Sequence, residues 1–300
     1  MKQSLLNEAL AVVNKNREQA ESVARKNLEM ALQNQEFKNL YTSYTSLMIE
    51  NAKKEAFGED FDGKKLIEIK DKLKEKLKEL KIPSIKPNYT CKKCEDSGFV
   101  NGHYCECLKK EITKLLLDKS GFGKLEDFDS SDFSIFENKA EMEKVYAVLK
   151  TWCNKQSDKN LIYLLGQTGT GKTHLLRCMA NEFIKQNKIV MLTTAFNLSQ
   201  MFLKYHTSKE KDEILSDVLS SEILFIDDLG TEPFFNNITR EYTYLVIKER
   251  RMKNLRTIIT SNLSPIELKD RYDERIFSRI LDKSTSIVLE LKGSDKRLKK

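Results

Sequence analysis

The octapeptide GQTGTGKT at residues 166–173 decides the fold, because it matches the phosphate-binding pattern GxxxxGK[ST] at every fixed position. An apolar run, LIYLL at 161–165, precedes it. Apolar residues at helical spacing follow it: Leu175, Leu176, Met179 and Phe183. The octapeptide therefore predicts a nucleotide site between a strand and a helix. We assign all of its residues to nucleotide binding: Gly166, Gln167, Thr168, Gly169, Thr170, Gly171, Lys172 and Thr173.

The residue types in the octapeptide suit this chemistry. Glycines let backbone N–H groups close around phosphates, and the start of a helix adds positive potential. We expect Lys172 to reach the β- and γ-phosphates and the Thr173 hydroxyl to be a ligand of Mg²⁺. The alternative is a chance match in a turn rich in Gly and Thr. The strand before the octapeptide and the helix after it argue against that alternative.

A second apolar run, ILFIDD at 223–228, ends in two acids. Parallel strands end at the same edge of a sheet, so these acids should lie beside the octapeptide. We expect Asp227 to hold the water shell of the Mg²⁺ ion and Asp228 to orient or activate the attacking water. The alternative is an acid that only forms a turn at the end of a strand.

Two later features fit a nucleotide switch. The run TIITS at 257–261 leads into Asn262, a candidate hydrogen-bond partner of the γ-phosphate or of the water. Arg275 and Arg279 lie four residues apart, on one face of a helix, and are candidates to reach the site of a neighbouring subunit. The alternatives are an ordinary turn asparagine and a pair of surface salt-bridge arginines.

From about residue 140, short apolar runs alternate with helical stretches, which predicts an α/β fold with a parallel sheet covered by helices. The five runs are almost continuously apolar, as in strands buried on both faces. The predicted strands are Leu161–Leu165, Ile189–Thr194, Ile223–Asp227, Thr257–Ser261 and Ile287–Leu291. Residues 1 to about 82 have helical spacing, interrupted near Gly58 and Gly63.

Four cysteines lie between the helical region and the sheet: Cys91, Cys94, Cys105 and Cys107. Two close pairs of thiolates match the tetrahedral coordination of Zn²⁺, so we predict a closed structural zinc site. His103 is a possible substitute ligand. The alternative is four unconnected thiols. Cys153 and Cys178 lie outside the cluster, and Cys178 is most simply a small core residue.

The 300-residue chain carries a net charge of +7. This excess suits contact with nucleic acid or acidic proteins, but it is equally ordinary for a soluble protein. No run approaches the ~18 apolar residues that a membrane span needs, and the N-terminus lacks the apolar core of a signal peptide. We therefore expect a cytoplasmic protein that does not bind a membrane. Reduced cysteines are expected there, which favours a metal over disulfides.

Taken together, the motifs resemble those of a known family. Their order is a CxxC…CxC cluster followed by GQTGTGKTHL, ILFIDDLGTE, TIITSNLS and DERIFSR. This order resembles the bacterial DnaC/DnaI-type replicative helicase loaders, a branch of the AAA+ ATPases related to DnaA and IstB. The resemblance covers roughly residues 90–300. The first 80 residues are similar only in being helical and charged.

The resemblance implies roles for particular residues. Thr173 and Asp227 match the magnesium positions, and Asp228 matches a catalytic acid that is usually Glu. Because Asp is one methylene shorter, we expect slow ATP hydrolysis. Asn262 matches the sensor position, and Arg279, with Arg275 beside it, matches the arginine finger.

The resemblance also implies a DNA contact. Residues Phe196 to Lys211 correspond to an extra helix that this branch uses to bind single-stranded DNA. Tyr205 is a candidate to stack on bases, with Lys204 near the DNA backbone. For Phe202, packing within the fold is the favoured alternative to stacking.

We predict four regions: a helical helicase-binding region (1–88), a zinc module (89–120), a linker (121–139) and an AAA+ domain (140–300). Only nine residues follow Leu291, so we expect no C-terminal helical lid. The expected cofactors are ATP, Mg²⁺ and Zn²⁺. The expected partners are a DnaB-type replicative hexameric helicase, single-stranded DNA and further copies of this chain.

Three other functions remain as alternatives. The first is an IstB-like transposition helper that binds duplex DNA, although the cysteine module is additional to that type. The second is a nucleotide-binding adaptor without significant turnover. The third is a small-molecule kinase, against which the missing lid and the two arginines argue.

Overall fold

The computed structural model describes residues 3–58, 63–134, 138–208 and 214–293. The chain forms two compact units: Val12–His103, and Tyr104–Lys300 together with Met1–Ala11. The division falls within one strand of a short hairpin in the cysteine segment. The four predicted sequence regions remain predictions, because their limits are not those of the two units.

Three helices make up the N-terminal region: α1 (Gln3–Leu32), α2 (Gln35–Ala56) and α3 (Lys64–Glu79). The break between α1 and α2 was not predicted, since neither Gly nor Pro marks it. Asn34 supplies the helix start instead, because its side-chain oxygen accepts a hydrogen bond of 3.0 Å from the backbone N–H of Phe37. Phe37 is fully buried and packs with Ala31 and Leu73.

The cysteine segment contains a hairpin of two very short strands, β1 (Phe99–Val100) and β2 (His103–Tyr104). Asn101 and Gly102 form its turn, and both have positive φ angles, of 50° and 78°. Two consecutive residues with φ above zero suit the tight turn of a hairpin.

The larger unit is built on a five-stranded sheet in which all neighbouring strands are parallel. Its strands are β3 (Leu161–Gly166), β4 (Val190–Thr194), β5 (Ile223–Leu229), β6 (Arg256–Ser261) and β7 (Ser286–Leu291). The strand order is β4-β5-β6-β3-β7. The predicted α/β fold with a five-stranded parallel sheet is therefore confirmed. β7 is the last element that the structure describes.

Helices of this unit accompany the strands: α4 (Glu106–Ser120), α5 (Lys139–Asn154), α6 (Lys172–Lys185), α7 (Ala195–Thr207), α8 (Ser216–Ser220), α9 (Thr239–Met252), α10 (Pro265–Tyr272) and α11 (Glu274–Ile280). A short 3₁₀ turn lies at Phe128–Ser130. Residues of α5, α6 and the sheet share one buried apolar cluster, which includes Leu149, Leu176 and Phe225. Among the described residues, no helix combines the length and apolar character that crossing a bilayer requires.

Helix α4 packs against β4, the strand at one edge of the sheet. The Thr113 hydroxyl accepts a hydrogen bond of 3.3 Å from the backbone N–H of Val190 and donates one of 3.2 Å to the carbonyl of Lys188. One buried side chain thus satisfies two backbone groups at the start of this edge strand. The helix that follows the cysteines therefore packs on the sheet.

Candidate nucleotide site and cysteine cluster

The octapeptide lies between β3 and α6, as its sequence predicts. Gly166 cannot be replaced without a shift, because a Cβ atom there would lie 2.4 Å from the backbone oxygen of Leu291. Gly171 begins α6 with a φ angle of 96°, in the left-handed region that favours glycine. Thr170 is buried and its hydroxyl donates to the carbonyl of Gln167 at 2.8 Å, which closes the loop.

Lys172 is only 5% exposed. Its ammonium group donates to the carbonyls of Gly166 and Gln167, at 2.7 and 2.9 Å, and to the side-chain oxygen of Asn262, at 2.6 Å. Asn262 follows the end of β6, ninety residues away in sequence. The fold therefore brings Lys172 and Asn262 to one point, and a phosphate oxygen bound by the lysine would lie beside the amide.

Asp227 is a buried acid whose two carboxylate oxygens are both hydrogen-bonded. It is 5% exposed, and its two carboxylate oxygens accept hydrogen bonds from Thr173, at 2.9 Å, and from Thr260, at 2.5 Å. A hydroxyl and a carboxylate are hard oxygen donors of the kind that Mg²⁺ prefers. Thr173 and Asp227 therefore fit a magnesium ion by their chemistry and by their contact.

Asp228 lies at an irregularity in the sheet. The register of β5 against β6 shifts between Ile226 and Leu229, and the φ angle of Asp228 is 55°. In a regular strand, Asp227 and Asp228 would point to opposite faces, and the irregularity breaks that alternation. The backbone N–H of Asp228 donates to the Thr260 hydroxyl at 2.8 Å.

Thr260 therefore orders both acids, and the sequence analysis did not identify it. It is fully buried and contacts Asp227 through its hydroxyl and Asp228 through the backbone. The sequence signal that could have identified Thr260 is a polar side chain near the end of the apolar strand that leads to Asn262.

The two arginines of α11 share one aromatic ring, that of Tyr244 on α9. The Arg279 guanidinium lies 4.6 Å from the ring centre and donates to the Tyr244 hydroxyl at 3.1 Å, while the Arg275 guanidinium lies 5.0 Å from the same centre. Arg275 also forms ion pairs with Glu241, at 2.8 Å, and Asp273, at 3.0 Å. Hydrogen bonds to Glu241 and Asp273 raise the pKa of Arg275 above its ordinary value. Both cations thus have defined positions on α11, and their action at a neighbouring site remains a prediction.

Helix α7 occupies most of the segment predicted for DNA contact, and residues 209–211 of that segment lie outside the described part of the chain. Lys204 is exposed, and the half-buried Tyr205 ring packs edge-on against Tyr242 at 5.1 Å. Phe202 is 2% exposed, as the packing alternative predicts. His206 makes a 2.9 Å hydrogen bond with the Tyr242 hydroxyl. Tyr242, on α9, is an additional surface aromatic residue that sequence reasoning missed.

The four cysteines of the predicted zinc site come together. The Sγ atoms of Cys91, Cys94, Cys105 and Cys107 all lie within 4.8 Å of one another. A tetrahedral Zn²⁺ with Zn–S bonds of about 2.3 Å needs sulfur atoms about 3.8 Å apart, so a small contraction fits the ion. His103 is exposed and is not a member of the group.

The first cysteine pair is shaped by a buried acid, Asp96, which is 2% exposed. Its two oxygens accept hydrogen bonds from the backbone N–H groups of Thr90, at 2.7 Å, and Cys91, at 2.8 Å. Ser97 bonds the carbonyl of Cys94 through its backbone N–H, at 3.0 Å, and through its hydroxyl, at 2.7 Å. Polar groups behind the thiols that orient the ligands are typical of structural metal sites.

Comparison with known proteins gives one family. The family model described as IstB-like ATP binding protein matches residues 109–300, which is more than half of the chain.

Two relatives come from Bacillus subtilis (strain 168). The chain is 27% identical to the phage-like element PBSX protein XkdC over 228 residues, which cover 69% of this chain and 84% of that protein. It is 28% identical to the replicative helicase loader DnaI over 145 residues, which cover 48% of this chain and 46% of DnaI. The DnaI match therefore spans less than half of each protein. Among solved structures, the DnaC helicase loader is similar with a TM-score of 0.47 and 21% identity, over 55% of this chain and 96% of that one.

Proposed function

We propose that this chain, which belongs to the IstB-like family of ATP-binding proteins, loads a replicative DNA helicase onto single-stranded DNA. ATP is the switch between assembly and release. The sequence similarity to DnaI, whose name states that activity, supports the choice of partner. The single observation that supports the switch is the 2.6 Å contact between Lys172 and Asn262, because it joins the lysine of the octapeptide to a side-chain amide that follows another strand.

In this proposal each group has a separate task. The octapeptide from Gly166 to Thr173 wraps the phosphates, and Lys172 neutralises charge on the β- and γ-phosphates. Thr173 and Asp227 hold the Mg²⁺ ion, which neutralises phosphate charge. Asp228 orients the water, and Asn262 detects whether a γ-phosphate is present.

The arginines connect one copy of the chain to the next. Arg279, with Arg275 beside it, reaches the γ-phosphate of a neighbouring copy and stabilises charge there. ATP thus favours association of the ATPase units around single-stranded DNA. Hydrolysis removes the γ-phosphate that bridges the two copies, which releases the assembly.

The helical region would hold the helicase. Several apolar side chains of α2 and α3 are exposed among the described residues, including Ile49 at 58% and Ile67 at 60%. Exposed apolar surface of this kind is typical of sites that bind another protein. The zinc module, with the ion on its four cysteines, gives the segment after these helices a fixed shape.

Single-stranded DNA would run along α7. Lys204 supplies a charge for the DNA backbone, and the Tyr205 ring offers a face for a base. We further propose a cytoplasmic location. We also propose slow basal ATP hydrolysis, because Asp228 replaces the longer Glu usual in AAA+ ATPases. Fast turnover of the isolated chain would contradict the second point.

A second candidate function follows from the family match over residues 109–300. An IstB-like helper would use the same nucleotide site to assemble on duplex DNA. The two functions differ in DNA type and in partner, so they can be separated directly. A nucleotide-binding adaptor without turnover is the third possibility.

The decisive experiment is size-exclusion chromatography with light scattering on this chain mixed with its host's replicative helicase, with and without ATP. We expect a stable complex whose amount depends on ATP. The matched control is Lys172→Ala, which should lose the ATP dependence. Absence of a complex in both conditions would overturn the loader function and leave the ATP-binding assignment intact.

DNA preference gives the complementary measurement. We expect fluorescence anisotropy to show tighter binding to labelled single-stranded than to duplex DNA in the presence of ATP. Tyr205→Ala and Lys204→Ala should weaken that binding, while Lys253→Ala, at an exposed lysine directly after α9, should not. A preference for duplex DNA would instead support the transposition-helper function.

A further inference from the structure

A buried acid follows the magnesium-site strand and has no role in the function proposed above. Glu232 is 4% exposed, although a carboxylate is rarely buried without strong partners. One of its oxygens, Oε2, accepts a hydrogen bond of 2.8 Å from the backbone N–H of Gly230. Glu232 therefore binds the loop that leaves the sheet directly after Leu229, the last residue of β5.

The other side of the same carboxylate binds α10. Its Oε1 accepts a hydrogen bond from the hydroxyl of Tyr272, which is fully buried, and lies 3.5 Å from the Arg271 guanidinium. Arg271 also donates to the backbone oxygen of Glu232 at 2.5 Å. Burial, together with the adjacent Glu232 carboxylate, raises the pKa of Tyr272, so its hydroxyl keeps its proton and donates.

The loop end of this connection is fixed to the sheet. The Ser261 hydroxyl donates to the carbonyl of Leu229 at 2.5 Å. Gly230 has a φ angle of 107°, and a Cβ atom there would lie 2.6 Å from the Leu263 side chain. The loop thus has little freedom, and Glu232 extends from a rigid base.

The helix end leads directly to the two arginines. Tyr272 is the last residue of α10, and Asp273, the next residue, caps the N-terminus of α11. Asp273 has φ 85° and ψ 170°, a conformation almost restricted to glycine. Its carboxylate accepts hydrogen bonds from the backbone N–H groups of Arg275 and Ile276, at 2.9 and 3.3 Å. The position of Tyr272 therefore sets the start of the helix that carries Arg275 and Arg279.

We propose that Glu232 is a positioning residue, which holds α10 against the loop behind Asp228 and thereby sets where α11 presents Arg275 and Arg279 to a neighbouring copy. This inference rests on the proposed function, in which these arginines act on the nucleotide of another subunit. The choice of residue has a chemical reason. The three groups around Glu232 all donate hydrogen bonds, and a carboxylate accepts with both oxygens and donates with neither.

Three variants separate positioning from simple folding. Glu232→Ala removes the side-chain part of the connection and leaves only the hydrogen bond from Arg271 to the backbone oxygen. Glu232→Gln keeps the contacts with Gly230 and Tyr272 in neutral form, because the amide oxygen accepts from Gly230 and the amide NH₂ donates to the Tyr272 oxygen, but it loses the side-chain contact with Arg271. Tyr272→Phe removes only the Tyr272 contact and leaves those of Arg271. Glu143→Gln, a carboxylate in an exposed ion pair on α5, is the control.

The test uses mixtures of full-length chains. Lys172→Ala should lack a working nucleotide site but keeps both arginines. Arg279→Ala keeps the nucleotide site but lacks the arginine that would act on a neighbouring copy. ATP turnover by their mixture reports on sites shared between copies. Glu232→Ala placed in the Lys172→Ala chain should lower this turnover about tenfold to a hundredfold, the cost of a misplaced group in a catalytic site. Placed in the Arg279→Ala chain, it should change turnover by less than about twofold.

Further readouts exclude a general folding defect. Alone, Glu232→Ala should bind a fluorescent ATP analogue with an affinity close to that of the unmodified chain. Glu232→Gln should restore part of the turnover that Glu232→Ala loses, and Tyr272→Phe should reduce turnover in the Lys172→Ala chain only. Equal losses in both chains of the mixture, or lost analogue binding, would overturn the positioning role. If the original mixture shows no turnover although each partner variant is folded, the shared site itself is wrong and the inference fails with it.

Discussion

The nucleotide site and the cysteine segment are both candidate ligand sites, but the chain builds them in different ways. The nucleotide site is held by the sheet: Lys172 and Asp227 are almost fully buried and hydrogen-bonded to groups from other elements. The cysteine segment has two strands of two residues each, and its four thiols lie close together. Hydrogen bonds across the sheet hold the first site, whereas we predict that the stability of the second depends on a bound ion.

The largest expected effect is therefore loss of zinc. Structural Zn²⁺ is worth about 10–16 kcal/mol in zinc-finger peptides, so chelation or Cys94→Ser should unfold the cysteine segment. The nucleotide site should persist, because its contacts come from the sheet. We expect released zinc in a chromogenic assay, together with nearly unchanged binding of a fluorescent ATP analogue.

The chain contains its own control for this experiment. Cys153 and Cys178 are buried, and burial raises the pKa of both thiols, that of Cys178 to about 11. A thiol with a raised pKa is a poor nucleophile near neutral pH. After chelation, mass spectrometry should find Cys91, Cys94, Cys105 and Cys107 alkylated, and Cys153 and Cys178 unmodified. Simultaneous alkylation of all six would show that the two regions are not independent.

The second prediction changes the nucleotide site and leaves the cysteine segment unchanged. Lys172→Ala should lower ATP turnover by about 10²–10³-fold, the usual cost of removing a group that stabilises a charged transition state. Its zinc content should not change. Lys185→Ala is the matched control, since that lysine lies on the same helix but is half exposed. The measurements are phosphate release and zinc content, and loss of zinc in Lys172→Ala would contradict the separation.

Sequence reasoning predicted those parts of the molecule that are formed by residues close together in the chain. The octapeptide encodes its loop within eight residues, and the five buried strands appear as apolar runs. The cysteine cluster is equally local. Sequence reasoning missed contacts that join distant residues, such as Thr260 with Asp227 and Glu232 with Tyr272. No periodic pattern reports which buried polar groups face each other, because that depends on strand order and on the local irregularity at Asp228.

Thr260 gives the third prediction, within the nucleotide site. Thr260→Val keeps the shape of the side chain but removes the hydroxyl that binds Asp227 and Asp228. A buried group left without its partner costs about 1–3 kcal/mol, so the free energy of unfolding measured in urea should decrease by that amount. The Mg²⁺ concentration needed for ATP turnover should also rise. Thr207→Val, at an exposed position on α7, should change neither quantity, and equal effects of the two substitutions would argue against a special role for Thr260.

The smallest expected effect concerns pH. His174, next to Thr173 on α6, lies 3.1 Å from the Ser131 hydroxyl and 3.6 Å from the Cys178 sulfur. Burial lowers the pKa of His174 below its ordinary value of 6.5, with Glu126 opposing and Arg177 adding to the shift. In the unfolded chain the same ring titrates near 6.5. As the pH falls through that value, the unfolded chain therefore binds the extra proton first, and the free energy of unfolding decreases.

His174→Gln, which keeps a neutral polar side chain, should remove this part of the pH dependence. We expect urea unfolding at a series of pH values to show a shallower loss of stability below pH 6.5 in the variant than in the unmodified chain. The difference should be smaller than that caused by Thr260→Val, because the ring is only half buried and water screens its charge. Identical slopes would mean that the ring titrates as freely in the fold as in the unfolded chain.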